Sequence, residues 1–249
     1  MKVGVIGGNG VAATNRLCDM IERKLTAAGA YRDAHHPEMI VWQATSVPSR
    51  SMFLEGRGPD WRPDYIRIAK ALKGLGCDIG CMCCNTAHYA VEEIEAASQL
   101  PFINLLEEVA RKCKESGEKK FELFCSDGAR KFDIYGKAFR KVFPEAIIAY
   151  PSEDRQKLVT KVICDVKNKS RFIPADNESS PHNLLVRLVC QAEAPVILGC
   201  TDLRIAFNSD ETMPQNVVID SLEALSESIT NKYCLSSWLH RDRRGLNGR

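Results

Sequence analysis

Two things are missing from this chain of 249 residues: an excess of charge of either sign and any long apolar run. Lys and Arg together number 34 against 32 Asp and Glu, a net of +2. No dominant cationic face announces nucleic acid, which leaves small molecules as the expected partners. No window approaches the roughly 18 apolar residues of a membrane helix. The N-terminal apolar run in MKVGVIGGNG stops at glycines, short of the roughly 7–15 residues of a secretory signal core, so it reads as a buried strand. Cysteine is not scarce. Eleven is an odd number, and without an export signal it predicts free thiols in a reducing cytoplasm rather than a disulfide framework. The Asn-x-Ser triplets at Asn168 and Asn177 therefore carry no meaning as glycosylation sites. At 45% hydrophobic and 27% charged residues the composition is that of a globular chain, neither disordered nor collagen-like.

Short apolar runs alternate with helical periods along most of the length. The strands expected are 3–6, 39–44, 79–83, 102–104, 121–125, 146–150, 196–199 and 217–220. The helices expected between them are 12–28, 64–75, 87–98, 105–115, 154–166, 182–192 and 221–233. Leu158, Val159, Val162, Ile163 and Val166 show the spacing of a half-buried helix. Strands apolar on both faces and separated by helices imply an α/β fold with mostly parallel sheets covered on both sides. The halves also resemble each other. Each runs strand, glycine-bearing loop, helix, strand, serine, helix, and each reaches a strand that ends in Cys and is followed by a hydroxyl residue. The two cysteines, Cys84 and Cys200, are 116 residues apart, and the first-loop glycines, Gly10 and Gly128, are 118 apart. Two similar lobes facing each other across a cleft are expected.

The chemistry lies in those strand ends. Cys84 closes the run Ile79-Gly80-Cys81-Met82-Cys83-Cys84 and is followed by Asn85-Thr86-Ala87-His88. A thiol at a strand-to-helix junction meets exposed backbone N–H groups and the positive helix end, which favour a thiolate. The same groups, with the Asn85 amide and the Thr86 hydroxyl, suit a carboxylate. Taken alone, such a cysteine is as readily a structural core residue. Cys200 repeats the pattern in Gly199-Cys200-Thr201-Asp202. Two opposed thiols can exchange the α-proton of an amino acid, one as base and the other as acid on the opposite face, giving the mirror-image product.

The combination of Ile6-Gly7-Gly8-Asn9-Gly10, Cys84-Asn85-Thr86-Ala87-His88 and Gly199-Cys200-Thr201-Asp202-Leu203 resembles the cofactor-independent aspartate/glutamate racemases, over nearly the whole chain. That resemblance implies two pseudo-symmetric α/β lobes, each a mostly parallel four-stranded sheet flanked by helices, with the active site between them in a homodimer. Residues 1–106 with 213–249 would form one lobe and 107–212 the other. It implies Cys84 and Cys200 as the catalytic acid/bases and no cofactor. Arg50, in Val47-Pro48-Ser49-Arg50-Ser51, would clamp a substrate carboxylate, and Lys167 would contact the side-chain carboxylate. Asn9, Asn85, Thr86 and Thr201 complete the expected substrate-binding set, with His88 and Asp202 as secondary candidates. Aspartate is the substrate expected first, ahead of glutamate or a broader range. Two features depart from the pattern. Asp202 stands where Glu is usual, and Ser126-Asp127-Gly128-Ala129 replaces a Thr-rich turn, with Asp127 a repulsive charge if it points inward.

Competing signals are weaker. Gly8-x-Gly10-x-x-Ala13 fits the dinucleotide fingerprint and would make the chain an NAD(P) oxidoreductase, with Asn9 and Thr14 reassigned from substrate contacts. The second strand, however, ends Gln43-Ala44-Thr45-Ser46, without the acid that takes a ribose hydroxyl. Cys77, Cys81, Cys83 and Cys84 crowd together, yet no second Cys-x-x-Cys pair completes a zinc site. Tyr135 reads as a core residue. A related isomerase or decarboxylase and an inactive binding protein on the same scaffold remain alternatives.

Overall fold

The computed structural model describes residues 1–207 and 218–236. The first half runs β1 (Lys2–Gly7), α1 (Val11–Ala27), β2 (Glu38–Gln43), α2 (Arg50–Leu54), α3 (Arg62–Gly74) and β3 (Ile79–Met82), then a 3-10 turn (Thr86–Ala90), α4 (Val91–Ser98), β4 (Phe102–Ile103) and α5 (Leu105–Glu115). The second half runs β5 (Lys120–Phe124), α6 (Asp127–Lys131), α7 (Ile134–Val142), β6 (Ile147–Ala149) and α8 (Glu153–Asp165). A 3-10 turn (Lys169–Phe172) follows, then α9 (Pro181–Cys190), β7 (Val196–Leu198), α10 (Leu203–Ala206), β8 (Val218–Asp220) and α11 (Ser221–Ser236).

Two four-stranded, all-parallel sheets result, ordered β2-β1-β3-β4 and β6-β5-β7-β8, so each strand of one half has its counterpart in the other. The side chains explain why both faces are covered. In the first sheet Val3, Val5, Cys81 and Cys83 enter one core, while Ile6 and Met82, on the opposite face, enter another with Trp61, Tyr65 and Leu72. The first of these cores is shared by both lobes, since Phe121, Leu123, Ile197, Leu222 and Leu225 belong to it too. Helices α1, α5, α7 and α11 pack there, which fixes the lobes against each other. α5 shows how its sequence starts a helix. Asn104 accepts from the Leu106 and Glu107 N–H groups at 3.1 and 3.4 Å, with acids in the first turn and lysines in the last.

The lobe division differs from expectation at the C-terminal side. β8 pairs with β7 (Val196 opposite Val218), so 218–220 belongs to the second sheet rather than to the first lobe. α11 instead packs against α1 and α5. Val218 and Ile219 complete the second sheet as Phe102 and Ile103 complete the first, and the helix that follows turns its apolar face to the shared core. The parts of the expected return segment at 213–217 and 237–249 lie outside the described residues. Each sheet reverses its strand order between its first and third strands, and at such a switch point the loops beyond the C-terminal strand ends leave a crevice for a ligand.

Candidate active site

The four loops at those two crevices carry the candidate residues. After β1, Gly8 and Gly10 have φ of +80° and +151°. A Cβ on Gly8 would stand 2.5 Å from the Ala44 nitrogen, and one on Gly10 would overlap the Asp202 carboxylate from the other lobe. Glycine is required at both, because L side chains avoid the dihedral and the space is filled. Thr14 lies outside the lining of the cavity described next: its Oγ1 accepts from the Gly8 N–H at 3.0 Å and donates to the Gly10 carbonyl at 3.1 Å, and the residue is fully buried. Asn9, also buried, donates through Nδ2 to the Tyr65 hydroxyl, and its Oδ1 has no partner.

A cavity of about 540 Å³ opens here, lined among others by Asn9, Gly10, Arg50, Lys167, Arg171 and Asp202. Its charged lining is three cations and one carboxylate. Arg50 starts α2, with Ser49 capping the helix by accepting from the Met52 N–H. Its Nη1 donates to the Pro48 carbonyl at 2.8 Å, and its Nε is buried without a partner. Burial works against the Arg50 charge, but the Cys84 sulfur, the Tyr65 hydroxyl and Asp202 outweigh it and raise its pKa.

On the opposite wall Asp202 is buried, with its side chain 4% exposed, and its Oδ2 has two partners. Lys167 Nζ lies at 2.8 Å and Cys200 Sγ at 3.8 Å. Burial raises the Asp202 pKa, and Lys167 opposes that rise. Burial likewise disfavours the Lys167 charge, but Asp202 outweighs it, so the lysine pKa lies above its ordinary value. Burial and the Asp202 charge together push the Cys200 thiol well up, and Lys167 only partly opposes them. Both cysteines are half-buried. Neither is part of the cavity lining itself, and Cys200 adjoins it through Asp202.

The remaining expected residues are gathered at the same place but are engaged between the lobes. Asn85 donates to Ser221 Oγ at 3.1 Å and accepts from the Tyr135 hydroxyl at 2.5 Å. Thr86 and Ser126 hydroxyls are 3.0 Å apart, and Thr201 donates to the Cys83 carbonyl at 3.4 Å. All three are buried, so their polar atoms hold the two cysteine motifs in register rather than facing the cavity. His88 donates from Nδ1 to the Cys84 carbonyl at 2.9 Å, anchoring that loop, and burial pushes its pKa down to about 4. Asp127 faces away from the cavity, accepting from Gln156 and Thr160 on α8. Sequence reasoning missed Arg171, which lies in a short turn with no periodicity to mark it. It also missed the partnership of Tyr135 with Asn85, a long-range contact invisible in either local segment.

Comparison with known proteins bears on the family and the fold. The family model for Asp/Glu/hydantoin racemases matches residues 3–229. The broad-specificity amino-acid racemase RacX of Bacillus subtilis (strain 168) is 25% identical over 235 residues, 93% of this chain and 97% of that protein. Among solved structures, Picrophilus torridus aspartate racemase superposes with a TM-score of 0.75 at 22% identity, over 93% of this chain and 94% of that one. Francisella tularensis glutamate racemase in complex with D-glutamate gives 0.56 at 15% identity, over 96% and 82%. With the twinned sheets, the paired strand-end cysteines and a family model spanning nearly all of the described residues, the chain belongs to the Asp/Glu/hydantoin racemase family.

Proposed function

We propose that this protein interconverts the mirror-image forms of an acidic amino acid, aspartate first, by proton transfer between Cys84, the α-carbon and Cys200 without a cofactor. The observation that carries this reading is that Arg50 of one lobe and Asp202 of the other line one cavity, with Cys200 Sγ 3.8 Å from Asp202 Oδ2 and Thr201, next to Cys200, 3.4 Å from the carbonyl of Cys83, next to Cys84. In the L-to-D or the reverse direction, one sulfur enters as thiolate and breaks the Cα–H bond, taking the proton. The other enters as thiol and delivers its proton to the opposite face. Each turnover leaves the two sulfurs with exchanged protonation, ready for the reverse reaction. Cys200, its proton held by burial and by Asp202, suits the role of donor at rest, which makes Cys84 the base in that direction. Arg50 suits the substrate α-carboxylate, where a guanidinium fork stabilises the charge that develops on deprotonation.

Three cations against one carboxylate favour an acidic substrate. A cavity of about 540 Å³ exceeds what aspartate fills, however, and favours a second reading in which neutral and larger amino acids also turn over. Incubating L-aspartate in deuterated water with no additive tests the proposal. Deuterium at the α-carbon together with accumulating D-aspartate is the expected result. Absence of exchange on aspartate, glutamate and alanine alike would refute it.

A further inference from the structure

The resemblance assigns the second substrate carboxylate to Lys167, but Lys167 already has a carboxylate. Asp202 Oδ2 holds it at 2.8 Å, and that same oxygen faces the Cys200 sulfur. Drawing the ammonium toward a ligand would strip a buried acid of its counter-ion. Bringing a second carboxylate up to the pair would set like charges side by side. Arg50 lines the same cavity from the other lobe and is the cation left for the α-carboxylate.

Arg171 is differently placed. It lines the same cavity on the 3-10 turn that follows α8, a turn whose start is fixed by Asn168 Oδ1 accepting from the Ser170 N–H at 2.7 Å. It is exposed, which puts it toward the mouth. No acid pairs with it among the described residues, and its guanidinium lies over the Phe172 ring at 5.7 Å. A free guanidinium fork at the rim of a cationic cavity matches a carboxylate arriving on a side chain. We propose that Arg171, and not Lys167, receives the side-chain carboxylate of a dicarboxylic amino acid, while Lys167 serves as the fixed counter-ion of Asp202 and Cys200. Selection between acidic and neutral substrates then occurs at the mouth, away from the sulfurs. This assignment rests on the racemase reading above.

The test compares Arg171→Gln, Arg171→Lys and Lys167→Gln, with kcat and KM measured for α-deuterium exchange on aspartate, glutamate and alanine. Arg171→Gln is expected to raise KM for both dicarboxylates about tenfold, the scale of one charge-assisted contact partly open to water. Its kcat, and its KM for alanine, are expected to stay at the wild-type values, and Arg171→Lys to recover part of the loss. Lys167→Gln is expected to lower kcat on all three substrates alike, because it disturbs the Asp202–Cys200 contact. Unchanged dicarboxylate KM values in Arg171→Gln, or a dicarboxylate-only KM defect in Lys167→Gln, would overturn the assignment and leave the racemase reading standing. So would a wild-type protein that exchanges alanine but neither dicarboxylate. A wild-type protein that exchanges none of the three would remove the racemase reading itself.

Discussion

Replacing Gly10 with alanine attacks the site where the first loop of one lobe meets Asp202 of the other. The new Cβ would stand 3.0 Å from Asp202 Cγ and overlap Oδ1, so the carboxylate must retreat by roughly 1 Å to regain contact distance. That movement lengthens the 2.8 Å bond to Lys167 and withdraws Oδ2 from the Cys200 sulfur. A non-glycine residue at φ +151° adds strain of about 1–3 kcal/mol. Weakening a charge-assisted bond adds about 1.5–3 kcal/mol, reduced here because Lys167 is half-exposed and regains water. The sum points to a loss of about 3 kcal/mol in urea denaturation and, because the Asp202–Cys200 contact moves with it, a large fall in kcat. Asp202→Ala in the same protein removes the obstacle but not the dihedral strain. A double-mutant cycle should therefore show a coupling of about 1 kcal/mol or more, with the pair less destabilised than the sum of the singles. A Gly10→Ala protein with wild-type stability and turnover would refute the close approach of the lobes on which the site is built.

Other expectations follow from the same geometry. Cys200 should be alkylated by iodoacetamide at pH 8 far more slowly than a free cysteine. Asp202→Asn should speed it by removing a charge that holds the proton on sulfur, as peptide mass mapping would show. Tyr135→Phe strands the buried Asn85 Oδ1 and should cost about 1–3 kcal/mol in unfolding free energy. Two buried groups should give opposing pH dependences. His88 falls from 6.5 to about 4 on folding, so its share of stability, about 3 kcal/mol, is complete above pH 6.5 and lost as pH drops toward 4. Asp220, pushed by burial from 3.8 to about 6, contributes a similar amount below pH 4 and loses it as pH rises through 6. Between pH 4 and 6 the two largely offset each other, so Asp220→Asn should make stability rise more steeply with pH there, and His88→Leu should tilt the profile the other way, toward lower stability at higher pH.

The sequence made the sheets legible because buried parallel strands are short and apolar throughout. Val3, Val5 and Ile6, or Val196, Ile197 and Leu198, have no polar face to confuse the period. It also exposed the cysteine motifs, since Asn85-Thr86 and Thr201-Asp202 are polar residues that no core requires. It did not expose α2, which is too short to repeat a helical period, and it marked a helix after Gly128 without bounds, because glycine interrupts both α6 and α7. Nor did it assign 218–220 to the second sheet, because three residues of apolar strand carry no label for their neighbour. The site shows the same limit. Asn85, Thr86 and Thr201 belong where the motifs put them, but only the packing of two lobes reveals that their polar atoms face each other. Lys167 was visible as a cation, and its engagement by Asp202, 35 residues onward, was not.

The central claim is that two sulfurs remote in sequence serve one α-carbon, and isotope exchange with each enantiomer in Cys84→Ala and Cys200→Ala proteins tests it most directly. Both variants are expected to fold and neither to racemise. Each should retain at most slow α-deuteration of the single enantiomer whose proton its surviving thiolate faces, with opposite enantiomers in the two variants. Racemisation at the wild-type rate in either single variant would contradict it.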